Sequence, residues 1–190
     1  MHKLFSIAVL LTLAGVIFYS CKKYKDPPPG SDPRLTHPYC NDPAAVNYNV
    51  GFPGKPDISL CFYPSDLFVG TYLCRDTVVV GTSGLFISAD SFYINIFRTS
   101  TTDKSKIGVS GFCGAGFNLL LTADISYSAN VDTTMTDTLL VHRGQTFCHP
   151  YDTITGTLTR DRIDSTLVLI SFTVYSDTAT YIYSGRAIKQ

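Results

Sequence analysis

From Ser65 to the last residue, segment after segment places apolar side chains at every second position, and this alternation restricts most of the chain to extended structure. Leu119, Leu121, Ala123, Ile125 and Tyr127 fall on one face of such a segment, with Asn118, Thr122, Asp124 and Ser126 on the other. Phe92, Ile94 and Ile96 alternate with Tyr93 and Asn95, and Val168, Ile170, Phe172 and Val174 alternate with Leu169, Ser171 and Thr173. A period of two sends successive side chains to opposite faces, the pattern of a half-buried strand; a helix returns its apolar stripe every three or four residues. Composition agrees. All 15 acidic residues are Asp, so the helix-favouring Glu is absent, while strand-favouring Thr, Val, Ile, Tyr and Phe are plentiful.

Turn-forming residues punctuate the alternation at Gly81-Thr82-Ser83-Gly84, Thr101 to Lys106, Gly111 to Gly116, Asn130 to Thr138, Asp161 to Asp164 and Ser176-Asp177-Thr178. The intervals predict about eight strands, near Phe68–Cys74, Thr77–Val80, Ser91–Arg98, Lys106–Ser110, Phe117–Ser128, Asp137–Arg143, Asp152–Arg160 with Thr166–Tyr175, and Ala179–Ile188. Short consecutive loops favour antiparallel neighbours. The expected fold class is therefore all-β, an antiparallel meander forming a small barrel or sandwich, preceded by a short disulfide loop.

The first 20 residues read differently. Met1-His2-Lys3 gives a positive start, and Leu4 to Phe18 is an apolar run broken only by Ser6, Thr12 and Gly15, the plan of a secretory signal. Tyr19-Ser20-Cys21-Lys22-Lys23 ends the run short of the roughly 20 apolar residues that cross a bilayer. Ser20-Cys21 resembles the cleavage box of bacterial lipoprotein precursors, with Phe18 in place of the usual Leu, as in the looser boxes of Bacteroidetes lipoproteins. The resemblance implies acylation of Cys21, a membrane-lipid anchor and a place in the bacterial cell envelope. Lys22 after Cys21 is compatible with sorting to the outer membrane.

Residues 21–39 then form a tether. Lys22, Lys23, Lys25, Pro27-Pro28-Pro29, Gly30, Pro33 and Pro38 cannot pack a core and favour extended polyproline conformation, at about 3.1 Å per residue. Residues 40–64 make a third segment. Cys40-Asn41-Asp42-Pro43-Ala44-Ala45-Val46-Asn47-Tyr48-Asn49, closing with Asp57-Ile58-Ser59-Leu60-Cys61-Phe62-Tyr63-Pro64, resembles a short repeat of secreted Bacteroidetes proteins, with Ile58 and Leu60 departing from its closing turn. That resemblance implies a Cys40–Cys61 loop. Asp42, Asn47, Asn49 and Asp57 offer hard oxygen ligands of the kind calcium takes, though fewer than its usual six to eight; the other reading is that they make Asx-turns.

Residues 65–190 are the main domain. Phe68-Val69-Gly70-Thr71-Tyr72 at its start and Tyr181 to Gln190 at its end resemble a group of uncharacterised Bacteroidetes lipoproteins and, more distantly, lipocalins. The lipocalin likeness implies an interior cavity for an apolar small molecule; the alternative is an interior filled by Leu, Ile and Phe.

Signals for chemistry are sparse. Lys and Arg total 15 against 15 Asp, so no positive excess exists to neutralise phosphates, which argues against nucleic acid. His142, Cys148 and His149 cluster but lack the second ligand pair that makes zinc spacing specific. Cys148 pairs with Cys113 in one reading, Cys74 being an alternative partner for either, and one thiol is left over. Gly111 to Gly116 lacks the Lys-Ser/Thr of a phosphate loop, and no nucleophile elbow or triad is visible. No catalytic residue and no cofactor other than calcium is expected. The expected function is a non-catalytic binding or accessory β-domain held at the envelope. Alternatives are an interaction module using Tyr151, Tyr175, Tyr181 and Tyr183, and an enzyme built around His142 or His149.

Overall fold

The computed structural model describes residues 33–49, 54–114, 116–133 and 144–190. The signal segment, Cys21, most of the tether, the strand expected at Asp137–Arg143 and His142 lie outside them. The chain divides into two units, Met1–His37 and Pro38–Gln190. In the first, Pro33–Thr36 make one turn of 3-10 helix.

In the second unit the alternation becomes a wall. Its strands are β1 (Pro38–Tyr39), β2 (Lys55–Pro56), β3 (Gly70–Val80), β4 (Phe86–Arg98), β5 (Lys106–Ser110), β6 (Asn118–Ala123), β7 (Ser128–Val131), β8 (Gln145–Phe147), β9 (His149–Arg160), β10 (Leu167–Tyr175) and β11 (Thr180–Lys189). From β3 onward the strands pair antiparallel in the closed ring β3-β4-β5-β6-β7-β9-β10-β11, and β11 returns to β3 in register from Tyr181 opposite Val80 to Lys189 opposite Tyr72. The result is an eight-stranded barrel, which settles the barrel-or-sandwich alternative. Closure removes the exposed edges that a flat meander of this length would leave.

Eight wall positions accommodate nine strands because β7 and β8 share one. β7 pairs with Thr157–Thr159 of β9, and β8 pairs with the same strand higher up, Gln145 lying opposite Ile154. At the start of β8 the buried Gln145 side chain bonds to the backbone of β6 and of the residue after β7. Its Oε1 accepts from the Leu120 N–H at 2.8 Å, and its Nε2 donates to the carbonyls of Leu120 and Asp132, both at 3.2 Å.

Inward positions follow the expected parity. Leu119, Leu121, Ile94, Ile96, Val168, Ile170, Phe172 and Val174 are buried, while Tyr93 and Leu169 on the opposite parity are exposed. Gly156 lets β9 bend: its φ is +130°, and a Cβ there would stand 2.2 Å from the Ser171 carbonyl oxygen.

Several strand limits differ from expectation: β9 begins at His149 rather than Asp152, and β7 runs to Val131, into the turn expected from Asn130. The segment expected to run from Phe117 to Ser128 stops at Ala123, because the Asp124 carboxylate takes the N–H groups of Ser126 and Ser128 and turns the chain. Ile125 is then exposed, and Tyr127 sits at φ +70°. Phe68–Cys74 and Thr77–Val80 are one continuous strand, β3, with Asp76 on its inward face. β4 begins at Phe86, five residues before the expected Ser91.

One end of the barrel is capped. Pro64–Leu67 forms a 3-10 turn held by the Tyr63 N–H donating to Asp66 at 2.9 Å and by an Asp66–Arg98 ion pair. Leu67 and Phe68 are buried there, and the Tyr72 hydroxyl donates to the Phe68 carbonyl at 2.7 Å. The disulfide segment packs at this end too: Cys40 is bonded to Cys61, and Tyr63 donates to Asp42 at 2.9 Å.

Candidate ligand site at the uncapped end of the barrel

Strand direction sorts the inward side chains into two halves. Going up β3 from the cap, the inward parity reads Tyr72, Cys74, Asp76, Val78; coming down β4 it reads Ser88, Asp90, Phe92, Ile94. The lower half is filled by Ile, Leu, Val and Ala together with Phe68 and Tyr72. The upper half is not. There a pocket of about 700 Å³ is walled by Phe92, Phe112, Phe147, Tyr181 and Tyr183, with Asp76 and Asp90 on one side. Among its described lining residues there is no Lys, Arg or His.

The pocket floor is an aromatic layer. Phe112 meets Phe92 at 5.6 Å and Phe172 at 5.7 Å, both edge to face, and Phe147 meets Phe117 at 5.5 Å and Tyr183 at 6.3 Å. Edge-to-face rings at such separations attract one another beyond their area burial. Two of these rings are placed by a covalent link. Phe112 and Phe147 immediately precede Cys113 and Cys148, which are bonded to each other across the β5–β6 loop and the β8–β9 turn. The bridge holds the rings 6.4 Å apart. Cys148 occupies the turn at φ +53°, which gives β8 and β9 a one-residue connection.

Asp76 and Asp90 lie directly opposite each other on β3 and β4. Like charges so placed oppose pairing. Asp90 is exposed, but Asp76 is only 6% exposed, and its Oδ1 has no hydrogen-bond partner. Gly185 on β11 makes the room: a Cβ there would lie 2.8 Å from the Asp76 Cα. Burial raises the Asp76 carboxyl above its ordinary value of 3.8, repulsion from Asp90 adds to the rise, and a backbone N–H at Asp90 opposes it. A carboxyl raised on folding holds its proton more tightly in the native state, so its contribution to stability is complete below the ordinary value and declines as pH climbs through the raised one. Asp76→Asn is therefore expected to raise the melting temperature at pH 7, by roughly 2–4 °C per kcal/mol recovered, with the gain vanishing near pH 3. Thermal melts of both proteins at the two pH values check this; a variant melting lower at pH 7 contradicts it.

The other residues singled out in the sequence are dispersed. Asp42 accepts from the Ala44 N–H and the Tyr63 hydroxyl, and Asp57 accepts from the Ser59 N–H and hydroxyl. The Ala44 N–H and the Tyr63 hydroxyl hold Asp42 below the usual carboxylate range, as the Ser59 hydroxyl and N–H do Asp57. Asn47 accepts from the Phe62 N–H at 2.8 Å and donates to the Leu60 carbonyl at 2.7 Å, and the Asn49 N–H donates to Cys40. These are Asx-turn and loop-bracing roles. Among the described residues no group of three or more His, Cys, Asp or Glu side chains gathers as a metal site. His149 is exposed, and Cys148 is bound in its disulfide. Cys74 is the leftover thiol, buried beneath the pocket and pushed up to about 12 by burial, with Asp76 adding to the rise. Tyr181 and Tyr183, expected on an interaction surface, are partly buried and turn into the pocket; Tyr151 is exposed.

Asp76, Asp90, Phe112 and Phe147 were not singled out as a site in the sequence. The signal for Asp76 was there: a carboxylate on the apolar parity of a strand. No known protein family and no curated protein matches the chain.

Proposed function

We propose that this protein is a lipid-anchored component of the bacterial cell envelope, attached through acylated Cys21, whose barrel binds a small molecule at its uncapped end without transforming it. The pocket of about 700 Å³ carries the reading. An eight-stranded barrel is just wide enough to be filled by side chains or to hold one small ligand, and this one is filled below and hollow above. A concave, aromatic-lined site with a few polar groups is the usual form of a small-molecule site. The Gly70-Thr71-Tyr72 resemblance to lipocalins points the same way. The leader residues support the address: an apolar run too short to span, ending at Ser20-Cys21.

A second reading, a docking module for an envelope protein or glycan, draws on Leu85, Phe86 and Ile87, which are exposed beside the β3–β4 hairpin.

Two measurements test the proposal. Intact mass of the mature chain is expected to begin at Cys21 and carry added acyl mass, and Cys21→Ser is expected to abolish it; an unmodified cysteine overturns the anchor. The neutral fluorophore N-phenyl-1-naphthylamine is expected to bind the Cys21→Ser chain saturably at one site, and Ser88→Trp, which puts an indole among the pocket residues, is expected to remove that binding. Absence of saturable binding, or binding indifferent to Ser88→Trp, overturns the pocket.

A further inference from the structure

We propose that the pocket ligand is an organic ammonium ion, a cationic nitrogen on an apolar or aromatic body, whose charge is received by Asp76 and Asp90. The inference rests on the pocket being a ligand site and adds the chemical class of its occupant.

The carboxylate pair alone would say little. What points to a ligand is that the Asp76 Oδ1 is unpartnered on a residue 6% exposed, and that the residue lines the pocket. Buried polar groups are nearly always hydrogen-bonded, and an unpaired one costs free energy that a bound donor would recover. Among the described residues, no Lys, Arg or His lines the pocket beside these carboxylates. The nearest basic residues in sequence and register, Arg75 and Arg186, lie opposite each other on the outward parity of β3 and β11, are exposed, and border a second, more open cavity that Asp76 and Asp90 also reach, outside the aromatic pocket. The ion pairs formed among the described residues, Arg98 with Asp66 and Lys106 with Asp132, lie elsewhere. Asp152 adds further negative potential near Tyr183.

The remaining wall selects the kind of cation. Phe92, Phe112, Phe147, Tyr181 and Tyr183 present aromatic rings to the same space, and ring faces attract ammonium groups by their quadrupole. A bare calcium or magnesium ion would use little of a pocket of about 700 Å³ and would meet two carboxylates where it wants six or more oxygens. Among the described lining residues an anion would meet two carboxylates and no cation. A neutral apolar molecule would leave the Asp76 Oδ1 unpaired. An ammonium group donates to Asp76 and Asp90 while its carbon skeleton lies against the rings.

The test uses three fluorescent probes that share one body: dansylcadaverine, which carries a primary ammonium, its neutral N-acetyl derivative, and the anionic dansyl-6-aminohexanoate. Each is titrated into the mature chain bearing Cys21→Ser. Dansylcadaverine is expected to bind about 10- to 100-fold tighter than the neutral probe, the range of a charge-assisted hydrogen bond, with the anion weakest. Asp76→Asn is expected to bring the ammonium and neutral probes to equal affinity. Asp90→Asn, at an exposed position that folding tolerates, is expected to narrow the gap and serves as the check should Asp76→Asn fail to fold. Equal binding of the three probes, with N-phenyl-1-naphthylamine still bound, overturns the ammonium assignment and leaves the pocket standing. A preference for the ammonium probe that survives both substitutions also overturns it. Failure of every probe, N-phenyl-1-naphthylamine included, removes the pocket reading itself.

Discussion

Removing the Cys113–Cys148 bridge by the double substitution Cys113→Ser, Cys148→Ser is expected to lower the unfolding free energy by about 3–4 kcal/mol. The bridge joins residues 35 apart in sequence, and tying such a loop denies the unfolded chain much of its freedom. The loss is a large share of the roughly 5–15 kcal/mol that holds a domain of this size together. It should also reach the pocket. Phe112 and Phe147 are placed by their neighbouring half-cystines, so the aromatic layer loses its covalent brace as stability falls. Denaturant unfolding of the oxidised wild type and the double variant, with alkylation to block Cys74 as it becomes exposed, measures the difference. A loss below about 1 kcal/mol would mean that the β5–β6 loop and the β8–β9 turn are held by packing alone.

Phe172→Ala is expected to cost about 3–5 kcal/mol, the range for deleting a large buried ring and leaving the cavity behind. Phe172 is 2% exposed, stands on the inward parity of β10 opposite Gly156, and packs edge to face on Phe112. The neighbouring Leu169→Ala is the control. Leu169 is 47% exposed on the outward face, and its truncation should cost under about 1 kcal/mol. Equal losses from the two substitutions would mean that the register of β10 is shifted by one residue, since a one-residue slip exchanges the faces of the whole strand.

These two predictions draw on parts of the fold that differed in how readable they were. The parity of Val168 to Val174 was visible in the sequence because a half-buried strand has no other way to place its apolar side chains, and all four are buried. Barrel closure was not, since the pairing of β11 with β3 joins residues more than 100 apart and nothing local encodes it. Asp76 broke the apolar parity of β3 and so read as an interruption between two strands; in the barrel it is an inward residue facing unfilled space. The opposite error occurred after Ala123. Ile125 and Tyr127 continue the alternation, yet the Asp124 carboxylate offers Ser126 and Ser128 a local partner that ends the ladder.

The same competition explains the acidic residues of the disulfide segment. Asp42 and Asp57 carry the oxygen chemistry of calcium ligands, but each is followed two residues on by an N–H that it accepts, so their geometry is that of turns. Asp103 with Ser105 and Asp164 with Thr166 repeat the arrangement at other loops. A chain whose acidic residues serve as turn-makers has use for Asp and little for Glu, whose longer side chain cannot close the same short ring. The pocket itself depended on two loop phenylalanines brought together by a disulfide, a proximity that alternation along strands does not record.

The most direct test of the pocket is to map backbone amide shifts in the uniformly labelled mature chain bearing Cys21→Ser as dansylcadaverine is added. Changes should concentrate at Asp76, Ser88, Asp90, Gly111 and Tyr183, with Ser65 and Lys104 at the capped end unmoved. Shifts centred on the capped end, or none at saturating probe, would contradict a ligand site in the upper half of the barrel.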